Sequence, residues 1–340
     1  MKDMKKFWKI AAFSFLCIAA IASCRKKEET KEYLTGELAI EFPDYVNPGF
    51  VKTYNTSDVM IVSRPDGGEV GYYVTNPLTG KRDTLVNGSG VMIHSTFSIE
   101  VPDTLATLSF TLGAYCDDAK YYGKTKVTSF KIVKPGLDEG ASISNFNFEG
   151  TEGFLYDERD GKIYPYSKVG ETEWMRINLA WEDKGVAFAN SEAMTDVFGL
   201  YYSWEDAMEA CPEGWRLPSE EDFTNLALSQ GVIAEPFANV KGLAGKLMGD
   251  LYFNSEKMWE YWPKVQITDD ARLSFMPVGY GTATSTDKHR FDGYLKYAAF
   301  WTSSEYAGKG VIRYIYYDKD VVYADAVSKK DIKANVRCIR

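Results

Sequence analysis

The chain has 340 residues, of which 45% are hydrophobic, 26% charged and 15% aromatic, with Tyr 23, Phe 19 and Trp 8. That length accommodates about two domains, and the aromatic enrichment favours β-rich structure and surfaces that bind by flat, amphipathic contact. The formal net charge is −9; Lys2, Lys5, Lys6 and Lys9 against Asp3 leave the chain beyond residue 23 at −12, an acidic surface that repels phosphate backbones and excludes nucleic acid as a natural partner.

Lysines flank an apolar run from Ile10 to Ala22, too short for a permanent bilayer span and patterned like a secretory signal. Residues 1–23 are therefore expected to be removed. Ile21-Ala22-Ser23-Cys24 resembles the lipobox of bacterial lipoproteins, which implies lipidation of Cys24 and a membrane partner reached through its acyl chains, each buried methylene adding roughly 0.8 kcal/mol. The charged run from Arg25 to Glu32 reads as a solvated spacer over 24–33. It also resembles the Lys-then-acidic signal of Bacteroidota-type lipoproteins, which implies an outer-membrane anchor facing the cell exterior. Of the five cysteines, Cys17 leaves with the leader and Cys24 is lipidated. Cys116, Cys211 and Cys338 remain, among which an oxidising compartment calls for one pair.

From residue 34 to 135 the pattern is β throughout. Strands are expected at 36–42, 58–64, 70–76, 91–101, 107–117 and 125–133, separated by Pro65-Asp66-Gly67-Gly68, Asn76-Pro77, Asn87-Gly88-Ser89-Gly90 and Pro102-Asp103. Short strands at this spacing with no helical period predict an immunoglobulin-like sandwich, a stalk module in the assembly. His94 stands alone in a strand pattern and reads as structural. The aperiodic stretch over 136–150 reads as linker and hinge.

Beyond it, the turns at Asp160-Gly161 and Gly170 predict a meander. In YYSWEDAMEAC, Tyr201, Trp204, Ala207, Met208 and Cys211 recur at three- and four-residue intervals, one helical stripe. Pro212-Glu213-Gly214 ends that helix, and Ser219 with Asp222 forms an acidic relative of the capping box that starts a second, with Phe223, Leu226 and Leu228 toward the core. DGKIYPYSKVGETEWMRINLAW, FGLYYSWEDAMEACPEGWRLPSEEDFTNL, AGKLM, FMPVGYG, FWTSSEY and NVRCIR stand in the order found in the Fibrobacter succinogenes major paralogous domain, and residues 154–340 resemble it. The resemblance implies an α+β C-type-lectin-like fold for 151–340, and a disulfide from the first helix to the last strand, Cys211 to Cys338. Cys116 is then free.

The same resemblance places ligands in the loosely patterned region between Leu251 and Arg290. Calcium-dependent sugar binding needs several hard oxygens converging on one point. Glu235-Pro236-Phe237 and Trp301-Thr302-Ser303-Ser304-Glu305 lack that ligand set, so no metal and no cofactor is expected. The expected contact residues are Trp259, Trp262, Tyr280, Trp301, Tyr314, Tyr316, Tyr317 and Tyr323; in the last hairpin the period of two sets Tyr314 and Tyr316 apart from Arg313 and Tyr317. No catalytic residue is expected: His289 reads as a loop residue, and Asp269-Asp270 as turn carboxylates with nothing to separate their pKa values. The expectation is a calcium-independent adhesin for a glycan or protein ligand; the alternative is a structural envelope or pilus-associated subunit.

Overall fold

The computed structural model describes residues 31–259, 265–284 and 288–340. The leader, Cys24 and Trp262 lie outside these residues. The described chain is mostly β-sheet with few helices, and none of its helices is long and apolar enough to cross a membrane.

The N-terminal part is built on two main sheets. Its strands are β1 (Tyr45–Val46), β2 (Val51–Asn55), β3 (Gly71–Thr75), β4 (Arg82–Val86), β5 (Thr96–Glu100), β6 (Thr107–Tyr115) and β7 (Lys124–Ile132). One sheet has the order β1-β7-β6-β3-β4 and the other pairs β2 with β5. The β1–β7 pairing is parallel and the rest are antiparallel. Alternation supplies the core: Tyr72 and Val74, Phe110 and Leu112, Phe130 and Ile132 from the larger sheet meet Phe97 and Ile99 from the smaller.

The expected strands at 36–42 and 58–64 are absent. Thr56–Val59 is a single helical turn, and the Tyr72 hydroxyl accepts from Val62 N at 3.0 Å and donates to Val62 O at 2.6 Å. The buried phenol thus satisfies both backbone groups of Val62, while Ser63 makes a single antiparallel bridge to Thr35. In the same way Glu41 O is satisfied by Lys52 Nζ and the Tyr54 hydroxyl. The run at 91–101 begins as a loop, with Val91, Met92 and Ile93 exposed. The strands β2 and β4 were hidden by their polar content. At the end of the expected spacer, Glu32–Tyr33 pairs in parallel with Tyr121–Tyr122.

In the C-terminal part, β8 (Gly153–Tyr156), β9 (Ile163–Val169) and β10 (Thr172–Met175) form the meander. Helices α1 (Trp204–Ala210) and α2 (Glu220–Ser229) follow. A seven-stranded sheet is built from β11 (Val240–Lys241), β12 (Val278–Ala283), β13 (His289–Tyr294), β14 (Tyr297–Tyr306), β15 (Lys309–Tyr316) and β16 (Val321–Val327) in the order β11-β16-β15-β14-β12-β13, with Ile332–Lys333 added on β12. Both faces are used. Ala298, Phe300, Ile315 and Val322 pack with Phe223, Leu226 and Ala227 of α2, while Ala299, Trp301 and Ile312 pack with Trp204, Ala207 and Ala210 of α1.

The capping box is present at α2: Ser219 Oγ accepts from Asp222 N, and Asp222 accepts from Ser219 N at 2.7 Å. Met208 and Leu228, expected in the core, are exposed. The buried stripe of α1 is centred on Ala207, which leaves Met208 about 100° away, and Leu228 stands on the far side of α2 from Phe223 and Ala227.

The segment over 136–150 is packed rather than hinge-like. Ala141, Ser142 and Ile143 are buried, and Ile143–Ser144 pairs with Tyr252–Phe253. Around it, Tyr45, Val133, Ile143, Phe188, Phe198 and Phe253 share one apolar cluster, crossed by Ser191 Oγ donating to Tyr45 O at 2.6 Å and Asn254 Nδ2 to Ile132 O at 2.8 Å. The junction is therefore a small core of its own.

Candidate functional site

The expected disulfide is present. Cys211 closes α1 and bonds Cys338 with Cα atoms 5.7 Å apart. The chain end runs as a clasp: Met175 N donates to Cys338 O, Arg216 N to Ile339 O and Glu173 N to Arg340 O. Cys116 is a half-buried free thiol.

Two of the expected contact residues belong to the core instead. Trp259 and Trp301 are each 0% exposed, and their indole N–H groups donate to Phe275 O at 2.9 Å and Tyr202 O at 2.8 Å. A fully buried ring with a satisfied N–H has no face left for a ligand. Tyr317 packs against the α2-side core, opposite Tyr314 and Tyr316. Trp262 is outside the described residues.

The remaining four come together, joined by one that the sequence reading missed. Tyr280 on β12, Tyr297 on β14, Tyr314 and Tyr316 on β15 and Tyr323 on β16 form a ladder across four strands. The register explains it. Tyr297 pairs with Tyr316, and Tyr314 lies between Ala299 and Tyr323, so the rings continue the α1-side face beyond the reach of α1. Tyr297 was legible in principle, because Tyr297, Ala299 and Trp301 alternate on one face of their strand. Tyr297 and Tyr314 stack at 5.1 Å, Tyr314 and Tyr323 at 5.0 Å. Burial, followed by the neighbouring tyrosines, holds the Tyr297 phenol well above its ordinary pKa; burial, followed by Asp325, raises that of Tyr314. Both hydroxyls therefore stay protonated and able to donate at any physiological pH.

Gly279 sets the course of β12 beside Tyr280. It has φ +76°, and a Cβ there would stand 2.1 Å from Asp292 O. Gly279→Ala is expected to cost about 1–3 kcal/mol from strain alone, read as a lower urea midpoint with unchanged slope.

On the opposite face a loop is fixed by a buried ion pair. Glu220 and Arg313 have side chains 2% exposed, with Arg313 Nε donating to Glu220 Oε1 at 2.9 Å and Nη2 bonded to Oε2. Arg313 Nη1 also donates to Ala238 O, and Phe237 N donates to Glu220 Oε2, both at 2.7 Å. They hold Phe237 at φ +63°, its ring 5.9 Å from Tyr306, beside a cavity of about 330 Å³ floored by Val311, Ala324 and Ala326.

Among the described residues no group of three or more His, Cys, Asp or Glu side chains could hold a metal ion. The polar residues after Trp301 serve the fold: Thr302 Oγ1 donates to Val311 O, Ser304 Oγ accepts from Glu220 N, and Glu305 pairs with Lys329. His94 lies 3.5 Å from Asp83. Burial, with Lys333 nearby, lowers the His289 pKa. The environments of Asp269 and Asp270 do differ, contrary to expectation: burial raises Asp269, and the Lys246 hydrogen bond lowers Asp270. Both Asp269 oxygens are occupied, accepting from Ser274 N and Ser274 Oγ at 2.8 Å, so this carboxylate staples its loop.

The geometry thus defines a β-rich chain whose C-terminal half is a disulfide-closed domain with a tyrosine-lined sheet. A family model, the Fibrobacter succinogenes major domain, matches residues 167–340, just over half of the chain, and the chain belongs to that family. Comparison with curated proteins and with solved structures finds no match.

Proposed function

We propose that this is a cell-surface lipoprotein, anchored in the outer membrane through Cys24, whose 34–135 region is an immunoglobulin-like stalk and whose 151–340 region is a C-type-lectin-like tip. The tip acts without catalysis as a calcium-independent binding or adhesion module for a glycan or protein ligand. The tyrosine-bearing face carries this reading: four strands place Tyr280, Tyr297, Tyr314, Tyr316 and Tyr323 side by side on one sheet, and rigid aromatic side chains with polar tips are efficient binding groups because little entropy is lost when they engage. The stalk reading is supported by the β1-β7-β6-β3-β4 order opposite the β2-β5 pair.

The test is binding of the mature chain to glycan and host-matrix arrays. At least one ligand is expected, with binding lost on combining Tyr314→Ala and Tyr316→Ala while the disulfide and the melting curve persist. A complete absence of ligands, together with co-purification of a fibre protein from the native envelope, supports the structural-subunit alternative instead.

A further inference from the structure

The tyrosine ladder also constrains the chemistry of its ligand. A pyranose is usually held by laying its C–H face on an open aromatic face, so what matters is which part of each ring is available. Tyr297, Tyr314 and Tyr323 form one row of near-parallel rings, at 5.1 Å and 22° and then 5.0 Å and 12°. Tyr314 therefore has both faces covered, and each of its neighbours has one. The other side of Tyr297 meets Tyr280, inclined at 63° and 5.4 Å away. Tyr316 stands at 89° to Tyr314 and 77° to Tyr323, and Lys319 Nζ lies over its ring at 6.0 Å. The faces of Tyr297 and Tyr314, the centre of the row, are thus used within the ladder.

What the ladder offers outward is ring edges and hydroxyls. Among the described residues none of the five hydroxyls has a hydrogen-bond partner in the chain, and none is a buried orphan, so each reaches solvent. Aromatic edges carry the positive end of the ring quadrupole, and phenols both donate and accept. Asp325, two residues beyond Tyr323 on the same face of β16, adds an acceptor for a cation. The chain as a whole is acidic. Edges, donors and a carboxylate in a row match an extended peptide: backbone carbonyls over the edges and hydroxyls, and a basic side chain at Asp325.

Resting on the ligand-binding reading above, we infer that the ladder recognises a polypeptide, an exposed segment of a partner protein carrying Lys or Arg, and not a sugar ring stacked on an aromatic face. Hydroxyl deletion separates the two chemistries, because phenylalanine keeps the stacking and the packing while removing the hydrogen bonds.

The experiment uses the mature chain on parallel glycan and matrix-protein arrays, with Tyr314→Phe/Tyr323→Phe, Tyr314→Ala/Tyr323→Ala and Asp325→Asn compared against the unaltered chain. The expected result is a protein ligand whose affinity falls tenfold or more in the Phe pair and further in the Ala pair, and whose salt dependence weakens in Asp325→Asn. A glycan ligand retained by the Phe pair and lost by the Ala pair overturns the inference but leaves the ligand-binding reading standing. A protein ligand indifferent to all three variants also overturns it, since the site then lies elsewhere. Silence on both arrays overturns the ligand-binding reading itself, and this inference with it.

Discussion

Glu220→Gln should destabilise the chain by about 3–5 kcal/mol, because it removes one partner of a buried ion pair and leaves the other charge without compensation. Both side chains are 2% exposed, so water is in no position to replace the carboxylate. The Arg313 guanidinium keeps Ala238 O and the ring of Phe223 at 5.9 Å, neither of which neutralises it. Glutamine retains one acceptor for Phe237 N but cannot present two anionic oxygens to the guanidinium fork. The measurement is a urea titration of Glu220→Gln, Arg313→Met and the double variant Glu220→Gln/Arg313→Met. The double variant should recover part of the loss, giving a coupling energy above about 1 kcal/mol. A single-variant cost under about 1 kcal/mol would mean that the pair is effectively solvated and the account wrong.

The consequence extends beyond stability. The carboxylate is what receives Phe237 N, and Phe237 is held in the left-handed region, where a bulky residue stays only when its surroundings over-determine it. Releasing Glu220 should let the 235–238 loop relax and separate Phe237 from Tyr306. A change in the nuclear Overhauser contact between those two rings, with the tyrosine ladder on the other face undisturbed, would report it.

Local chemistry was legible and distant partnership was not. Ser219 and Asp222 lie three residues apart, and the capping box they form needs nothing from the rest of the chain. The period of two correctly divided Tyr314 and Tyr316 from Arg313 and Tyr317, since a strand can do nothing else with its side chains. It could not say which set faced outward, and it gave no hint that Arg313 meets a glutamate on the second helix, because Glu220 is 93 residues away. Composition failed differently at Trp259 and Trp301. Trp259, in a loosely patterned region, reads as a contact residue or a core plug with equal ease, and Trp301 lies in a strand whose buried face the pattern leaves open; the decision rests on whether a carbonyl is waiting for the indole N–H, as Phe275 O and Tyr202 O are. Over 58–64 the apolar run favoured a strand on propensity alone, but its backbone partners are a helical turn at Thr56–Val59, the Tyr72 hydroxyl at Val62 and a single bridge from Ser63 to Thr35. The pairing of Cys211 with Cys338 was accessible through the family resemblance, without which Cys116, Cys211 and Cys338 would have been interchangeable.

Loss of that disulfide should be the other large effect. The two cysteines are 127 residues apart in sequence, and closing a loop of that length removes about 5 kcal/mol of chain entropy from the unfolded state in the loop-closure model. Cys211→Ser, Cys338→Ser and the double variant are expected to melt together, each well below the oxidised chain, because any one substitution opens the loop completely. Reduction of the unaltered chain should bring it to the same point, and among the described cysteines only Cys116 should be free before reduction. The loss should also be local in its cause. The end of the chain is still held by Arg216 N to Ile339 O and Glu173 N to Arg340 O, and Arg337 is buried with Nε donating to Asn178 Oδ1 at 2.6 Å and Nη1 to Leu273 O at 2.8 Å, so the folded state of the variants should keep its native spectrum at low temperature while its midpoint falls. A double variant melting well below either single would mean that each cysteine contributes separately to the core, and the loop-closure account would fail. If the singles instead differ by more than about 1 kcal/mol, the excess measures the packing of the worse-tolerated serine, since one of the two sites is fully buried, Cys338 at 0%, and a hydroxyl left there without a partner carries a desolvation cost of its own.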